Sequence, residues 1–133
     1  MTDLIKRFIE ENIEFIEKQE WYNLFYSWYM HFGDNNTSID ARNLRELTEA
    51  LEIVYPDFGF EAKEAQQKVL LDKMEDYINN CVQIGKKHIR YTSCIDTINS
   101  LFGIHEYFLK QLFKQAARNC GFGVSSNYSI EVN

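Results

Sequence analysis

The chain has 133 residues, 45% hydrophobic and 15% aromatic, with a formal net charge of −6. That is enough apolar material for a buried core, so a disordered composition is excluded, and one proline with six glycines favours helices. No apolar run approaches the ~20 residues that cross a bilayer, and the charged opening MTDLIKRFIEEN has no apolar signal segment. A cytoplasmic protein of one domain, or one domain with a small appendage, is therefore expected.

In chain order, residues 3–18 are expected to form a helix, with Leu4, Ile5, Phe8, Ile9, Ile13 and Ile16 on one stripe and Glu10, Glu14 and Glu17 opposite. Residues 20–32 read as a second helix. The turn formers GDNNTS follow, and Thr37-Ser38-Ile39-Asp40 has the form of a helix start, leading into a third helix carrying Leu44, Leu47 and Leu51. YPDFGF (55–60) reads as a linker. Residues 61–84 read as a long helix with Ala65, Val69, Leu70, Met74, Tyr77, Ile78 and Cys81 inward and Gly85 as its stop.

KHIRY (87–91) is short and extended in character. Thr92 or Ser93 can cap a helix over 94–102, with Ile95, Ile98, Leu101 and Phe102 inward, ended by Gly103. A further helix over 105–119 points Phe108, Leu109, Leu112, Phe113, Ala116 and Ala117 inward, and Gly121 stops it. FGVSSNYSIEV (122–132) reads as two short strands about a polar Ser-Ser-Asn turn.

The order over residues 61–132 is helix, strand, helix, turn, helix, hairpin, which resembles that of a winged helix-turn-helix domain. The expected fold is thus mainly α: a compact helical domain of about six helices with a small C-terminal β-hairpin. It comprises an acidic, aromatic-rich segment 1–56 for packing and partner contact and a winged-helix-like segment 57–133. Separately, FIEENIEFIEKQEWYNLF and ARNLRELTEALE are similar to the helical N-terminal segments of small phage and mobile-element proteins of low-GC Gram-positive bacteria. This resemblance implies a source and no mechanism.

WYNLFYSWYMHF (21–32) is the densest stretch. On a helix turning about 100° per residue, Trp21, Phe25, Trp28 and Phe32 share one face with Leu24 at its edge, and that face reads as core. Base stacking there is disfavoured because no Lys or Arg occurs between Lys18 and Arg42. A membrane surface is disfavoured for the same reason. Tyr22, Tyr26 and Tyr29 form a flank suited either to a partner or a second copy, or to partial burial in the same chain.

No catalytic constellation is visible, so a non-enzyme without cofactor is expected. Cys81, Cys94 and Cys120 are widely spaced, with no CxxC, and read as buried free thiols. Cys81, His88 and Cys94 match no zinc spacing. The alternation of Asp34, Asn36, Ser38 and Asp40 fails as a calcium loop, because Ile39 stands where a turn glycine belongs and Arg45 where a closing glutamate belongs. The carboxylates at helical spacing, such as Asp72, Glu75 and Asp76, read as solvated faces, and the scattered glycines form no phosphate loop.

The sharpest candidate is nucleic-acid contact. Lys110, Lys114 and Arg118 recur every four residues along 105–119, beside Gln111, Gln115 and Asn119, with His105 and Tyr107 near the start. In a helix-turn-helix this is the helix that enters the major groove: cations would meet phosphates and amides would read adenine. Lys86, Lys87 and Arg90 would add backbone contacts, as would a wing at Ser125-Ser126-Asn127. Residues 1–84 carry eight Lys/Arg against seventeen Asp/Glu, a balance of −9, while 85–133 carry six against three, a balance of +3. Six basic residues are a modest supply, and the overall charge opposes approach; a homodimer through the tyrosine flank would double the stripe. Two functions are therefore expected in competition. One is a regulatory protein contacting nucleic acid or a nucleic-acid-handling complex. The other is a phage-encoded acidic inhibitor or adaptor, of the anti-CRISPR or another anti-defence kind, that binds a host protein.

Overall fold

The structure, a computed structural model, describes residues 1–32, 41–98 and 102–133. Among them are seven helices and one two-stranded antiparallel sheet, the mainly α class with a small β element that the composition and periodicity imply. The chain divides into two units, Met1–Val69 and Leu70–Asn133, with the division inside the longest helix. The expected turn at GDNNTS, the helix start at Thr37–Asp40, the alternating Asp34–Asp40 set and the inward Leu101 lie wholly or largely outside the described residues.

The first unit holds α1 (Asp3–Glu11), α2 (Ile13–Glu17), α3 (Trp21–Phe32), α4 (Ala41–Val54) and the start of α5 (Phe58–Gln83). The single helix expected over 3–18 is broken at Asn12, which raises the count from six to seven. Asn12 leaves helical geometry (φ −117, ψ 20), and its buried side-chain amide donates to the Phe8 carbonyl at 2.8 Å. A short polar side chain thus competes with the next helical hydrogen bond. The break also alters the expected stripe: Ile5, Phe8 and Ile16 are buried, whereas Leu4 and Ile13 are exposed. Gln19 closes α2 in the left-handed region (φ 55), with Glu20 N–H donating to the Phe15 carbonyl at 2.8 Å.

The α3 face behaves as its spacing requires. Trp21, Leu24, Phe25, Trp28 and Phe32 are all buried. Phe8 meets Trp28 edge-to-face at 5.1 Å, and Trp28 meets Phe32 at 4.7 Å. The Trp21 indole N–H donates to Glu61 at 2.6 Å. That of Trp28, fully buried, meets no acceptor among the described residues, so Trp28 serves by bulk alone.

The stretch 55–60 is not a linker throughout. Tyr55 and Pro56-Asp57 make the turn, and α5 begins at Phe58, three residues ahead of the expected start. Phe58 is wholly buried between Trp21 (4.8 Å) and Phe25 (6.0 Å). The Glu52 carboxylate lies over Gly59 in the first turn of α5, where it complements the positive end of the helix, and a side chain at 59 would make this exposed, flexible acid shift.

The second unit holds the remainder of α5, β1 (His88–Arg90), α6 (Tyr91–Ile98), α7 (Glu106–Asn119) and β2 (Ser129–Glu131). Both long helices end in the same hydrogen-bonded cap. Gly85 (φ 83) lets Lys86 N–H reach the Cys81 carbonyl, and Gly121 (φ 90) lets Phe122 N–H reach that of Ala117. Helix α6 follows β1 directly, so Thr92 and Ser93 sit in its first turn rather than capping it.

The sheet corrects the expected pairing. Within 122–132 the chain does reverse at Ser-Ser-Asn: Tyr128 N–H donates to the Ser125 carbonyl and Ser125 N–H to that of Ser129. This is the hydrogen-bond pattern of a three-residue hairpin loop closed by a left-handed residue. Only the second arm becomes a strand, however, and its partner is β1, in the register His88↔Glu131, Ile89↔Ile130, Arg90↔Ser129. Ile89 and Ile130 are fully buried, whereas the first arm offers no comparable apolar pair. Burial at that one rung selects β1.

Cys81 and Cys94 are buried free thiols and Cys120 is half-buried. Burial, then the neighbouring Cys81, pushes the Cys94 thiol from 9.0 up to about 12. Burial chiefly also raises Tyr91 to about 12. Among the described residues no helix is long and apolar enough to cross a membrane.

Two outcomes are expected. Phe58→Ala lowers unfolding stability by about 3–5 kcal/mol, read from urea melts; a loss under 1 kcal/mol would restore the linker reading. Cys94 is neutral in both states below pH 9, so its contribution is full there. Above that the unfolded chain sheds the proton first, and stability falls as the pH climbs towards about 12. Melts followed by circular dichroism at about pH 8 and 10.5 should show the fall, and Cys94→Ala should make it shallower.

Candidate nucleic-acid interface

Helix α7 is long and amphipathic. His105 caps it, its Nδ1 accepting the Tyr107 N–H at 3.1 Å. Leu109, Phe113, Ala116 and Ala117 are buried. At about 100° per residue, that inward set places Tyr107, Gln111, Gln115 and Arg118 along the outward ridge, with Phe108 and Lys114 on its two flanks. Burial agrees: Tyr107, Phe108, Gln111 and Arg118 are exposed, and Lys114 and Gln115 half-exposed.

This differs from expectation in two respects. Lys110, expected on the ridge, lies beyond its edge, half-exposed like Lys114. Phe108, expected inward, is 53% exposed and meets Tyr107 (60% exposed) edge-to-face at 5.4 Å. At about 100° per residue Phe108 lies about 125° round the helix from the middle of the buried Leu109, Phe113, Ala116 and Ala117 set, so it finds no cover.

The cations do not project freely. Lys110 Nζ lies 4.9 Å and Lys114 Nζ 5.0 Å from the centre of the Tyr128 ring, and Lys110 is 5.8 Å from that of Tyr91. One aromatic ring thus gathers two ammonium groups and holds them towards the 125–129 turn. Glu106 comes within 3.9 Å of Lys110 but is 67% exposed, so the masking is slight. Arg118 Nη1 donates to Gln115 Oε1 at 3.3 Å, and Gln115 Nε2 to Asn119 Oδ1 at 2.7 Å. The amide of Gln111 has no partner among the described residues.

Tyr128 occupies the left-handed region (φ 54), which costs a non-glycine residue roughly 1–2 kcal/mol. Its carbonyl accepts Tyr91 N–H at 3.0 Å, and its ring carries the two lysines. The backbone strain is offset by contacts that only a side chain there can make.

Lys86, Lys87 and Arg90 are exposed and form no ion pair among the described residues. The Lys87 carbonyl accepts Val132 N–H at 2.8 Å, extending the β1–β2 pairing by one rung. An open groove of about 360 Å³ runs between α6 and the start of α7, lined by Tyr91, Ile95, Ile104 and Leu109 with Asp96 and Glu106. Asp96 and Glu106 thus place two carboxylates beside the start of α7.

The tyrosine flank belongs to the first unit. Tyr26 is 36% exposed, and Tyr22 and Tyr29 are half-buried. Tyr22 and Tyr26 lie ring to ring at 6.0 Å, and Lys68 Nζ sits 5.2 Å over Tyr22. The cation missing from the local sequence is thus supplied by α5. Among the described residues no group of three or more His, Cys, Asp or Glu side chains could hold a metal ion.

Sequence reasoning missed Phe108 and Tyr128. For Phe108 the signal was its angular position, well away from Leu109, Phe113, Ala116 and Ala117. For Tyr128 it was the position itself, the last residue of a three-residue loop, where glycine or asparagine is usual. Comparison of the chain with protein-family models, with curated proteins and with solved structures finds no match.

Replacing Tyr128 separates its two roles. Tyr128→Gly relieves the backbone and Tyr128→Ala does not, so the glycine variant should be the more stable by about 1 kcal/mol. In both, the ring-current shift on the Lys114 side-chain methylenes should vanish from the NMR spectrum and that on Lys110, which also lies by Tyr91, should shrink. Equal stabilities or unmoved lysine signals would contradict the assignment.

Proposed function

We propose that the protein is a non-enzymatic regulatory binding protein whose second unit is winged-helix-like and contacts nucleic acid through the outward face of α7. The observation that carries this reading is that ridge with its flank: Gln111, Arg118 and the flanking Lys114 exposed or half-exposed on a helix held between a preceding helix and a β-turn. The element order β1–α6–α7–β2, closed by β1–β2 pairing, supports the resemblance. A protruding helix face suits the wide major groove of B-form DNA, whereas the deep, narrow major groove of duplex RNA does not admit it. Duplex DNA is the ligand this geometry favours.

Charge sets the regime. The second unit carries seven Lys/Arg against six Asp/Glu, and the first seven against fourteen. Steering is therefore poor, and binding depends on local phosphate contacts that salt readily screens.

A second reading, an acidic phage-encoded inhibitor or adaptor of a host protein, draws on the first unit. Its balance is −7, and Ile53 (84%), Val54 (66%) and Phe60 (71%) are strongly exposed around the turn joining α4 to α5. Ile53→Asp/Phe60→Asp recovering the same host proteins as wild type in a pull-down would sink it.

For the first reading, a gel-shift or anisotropy titration of a mixed-sequence duplex at about 50 and 200 mM salt should show steep weakening. Lys114→Gln/Arg118→Gln should reduce the log–log salt slope by about 2, close to one for each phosphate no longer neutralised. Absent or salt-insensitive binding would overturn it.

A further inference from the structure

Resting on that reading and deepening it, we infer that Tyr107, Phe108 and Gln111 select A·T-rich duplex DNA by contacting thymine methyl groups and adenine edges. Tyr107 and Phe108 open the first turn of α7 and are 60% and 53% exposed. Their rings brace one another edge-to-face at 5.4 Å, so an apolar wedge stands preformed, at an entropic cost already met. Water covers it in the free protein, and covering it is favourable.

In a helix-turn-helix the start of the second helix is the part that reaches base edges. In the major groove the one apolar feature of a base is the C5-methyl of thymine, which aromatic side chains cover. The adenine paired with it presents N7 and N6, which a glutamine amide engages in a bidentate manner. Gln111 lies one turn beyond Tyr107 on the same ridge, exposed and with its amide unpartnered among the described residues. Arginine and lysine, which favour guanine, are turned aside or come later: Lys110 and Lys114 are drawn to Tyr128, and Arg118 sits in the last turn. The leading end thus carries groups for A·T pairs and the trailing end groups for phosphate. The carboxylates Glu106 and Asp96 beside the leading end disfavour phosphate there and leave the wedge to the bases.

The test is an anisotropy titration of the full chain against three duplexes of equal length: G/C-rich, A/T-rich, and the A/T-rich sequence with uracil for thymine. Uracil removes the methyl and leaves pairing intact, which separates methyl contact from preference for a narrow minor groove. The A/T-rich duplex should bind tightest, and uracil should weaken it about fourfold per methyl covered. Tyr107→Ala/Phe108→Ala should bind the thymine and uracil duplexes alike with its salt slope unchanged. Salt-sensitive binding that ignores uracil overturns this inference and leaves the proposed function standing. No binding to any duplex at low salt overturns both. The wild-type comparison needs no variant, so the result does not depend on one folding.

Discussion

The second unit depends on a single cross-strand rung. Ile89 and Ile130, both fully buried, face each other where the segment before the two short helices meets the end of the chain. With only three residues in each strand, the ladder offers few hydrogen bonds, and a lone two-stranded pair has little stability in water. Complete burial of that pair makes it hold, and Tyr91 and Phe113, in edge-to-face contact at 5.7 Å, join the start of α6 to α7. Once the rung is closed, α6 and α7 are tethered at both outer ends, and the outward face of α7 is fixed by default.

The rung also gives the turn at 125–129 its purpose. The turn brings Tyr128 beside Tyr91, and the ring it delivers collects Lys110 and Lys114 from α7. The left-handed backbone at Tyr128, the orientation of the lysines and the position of Lys110 off the ridge are three aspects of one arrangement. A charge ladder that looks uniform along the helix is thereby divided into two cations drawn to the turn and one, Arg118, beyond it.

Helix class, the Trp/Phe face of α3 and the glycine stops at Gly85 and Gly121 were legible in the sequence because each rests on local periodicity or one residue's backbone freedom. Others were not, for physical reasons that can be named. Asn12 breaks a helix only because its amide is buried against the Phe8 carbonyl, which is a tertiary circumstance. Phe58 looked like part of a linker because Pro56 precedes it, yet Trp21 and Phe25, more than thirty residues earlier, supply its pocket. Phe108 reads as inward from its hydrophobicity and its four-residue spacing to Leu112 and Ala116, yet the set that is buried centres on the other side of the helix. At the interface, the residue types of the cationic stripe were visible, while its division by Tyr128 depends on a turn closed across the sheet.

The burial of the indoles has a spectroscopic corollary. Trp21 and Trp28, the chain's two tryptophans, both lie in the first unit, whereas Tyr77, Tyr91, Tyr107 and Tyr128 lie in the second. Indole emission therefore reports the solvation of the aromatic α3 core, whereas phenol absorbance draws on both units, since Tyr22, Tyr26, Tyr29 and Tyr55 lie in the first.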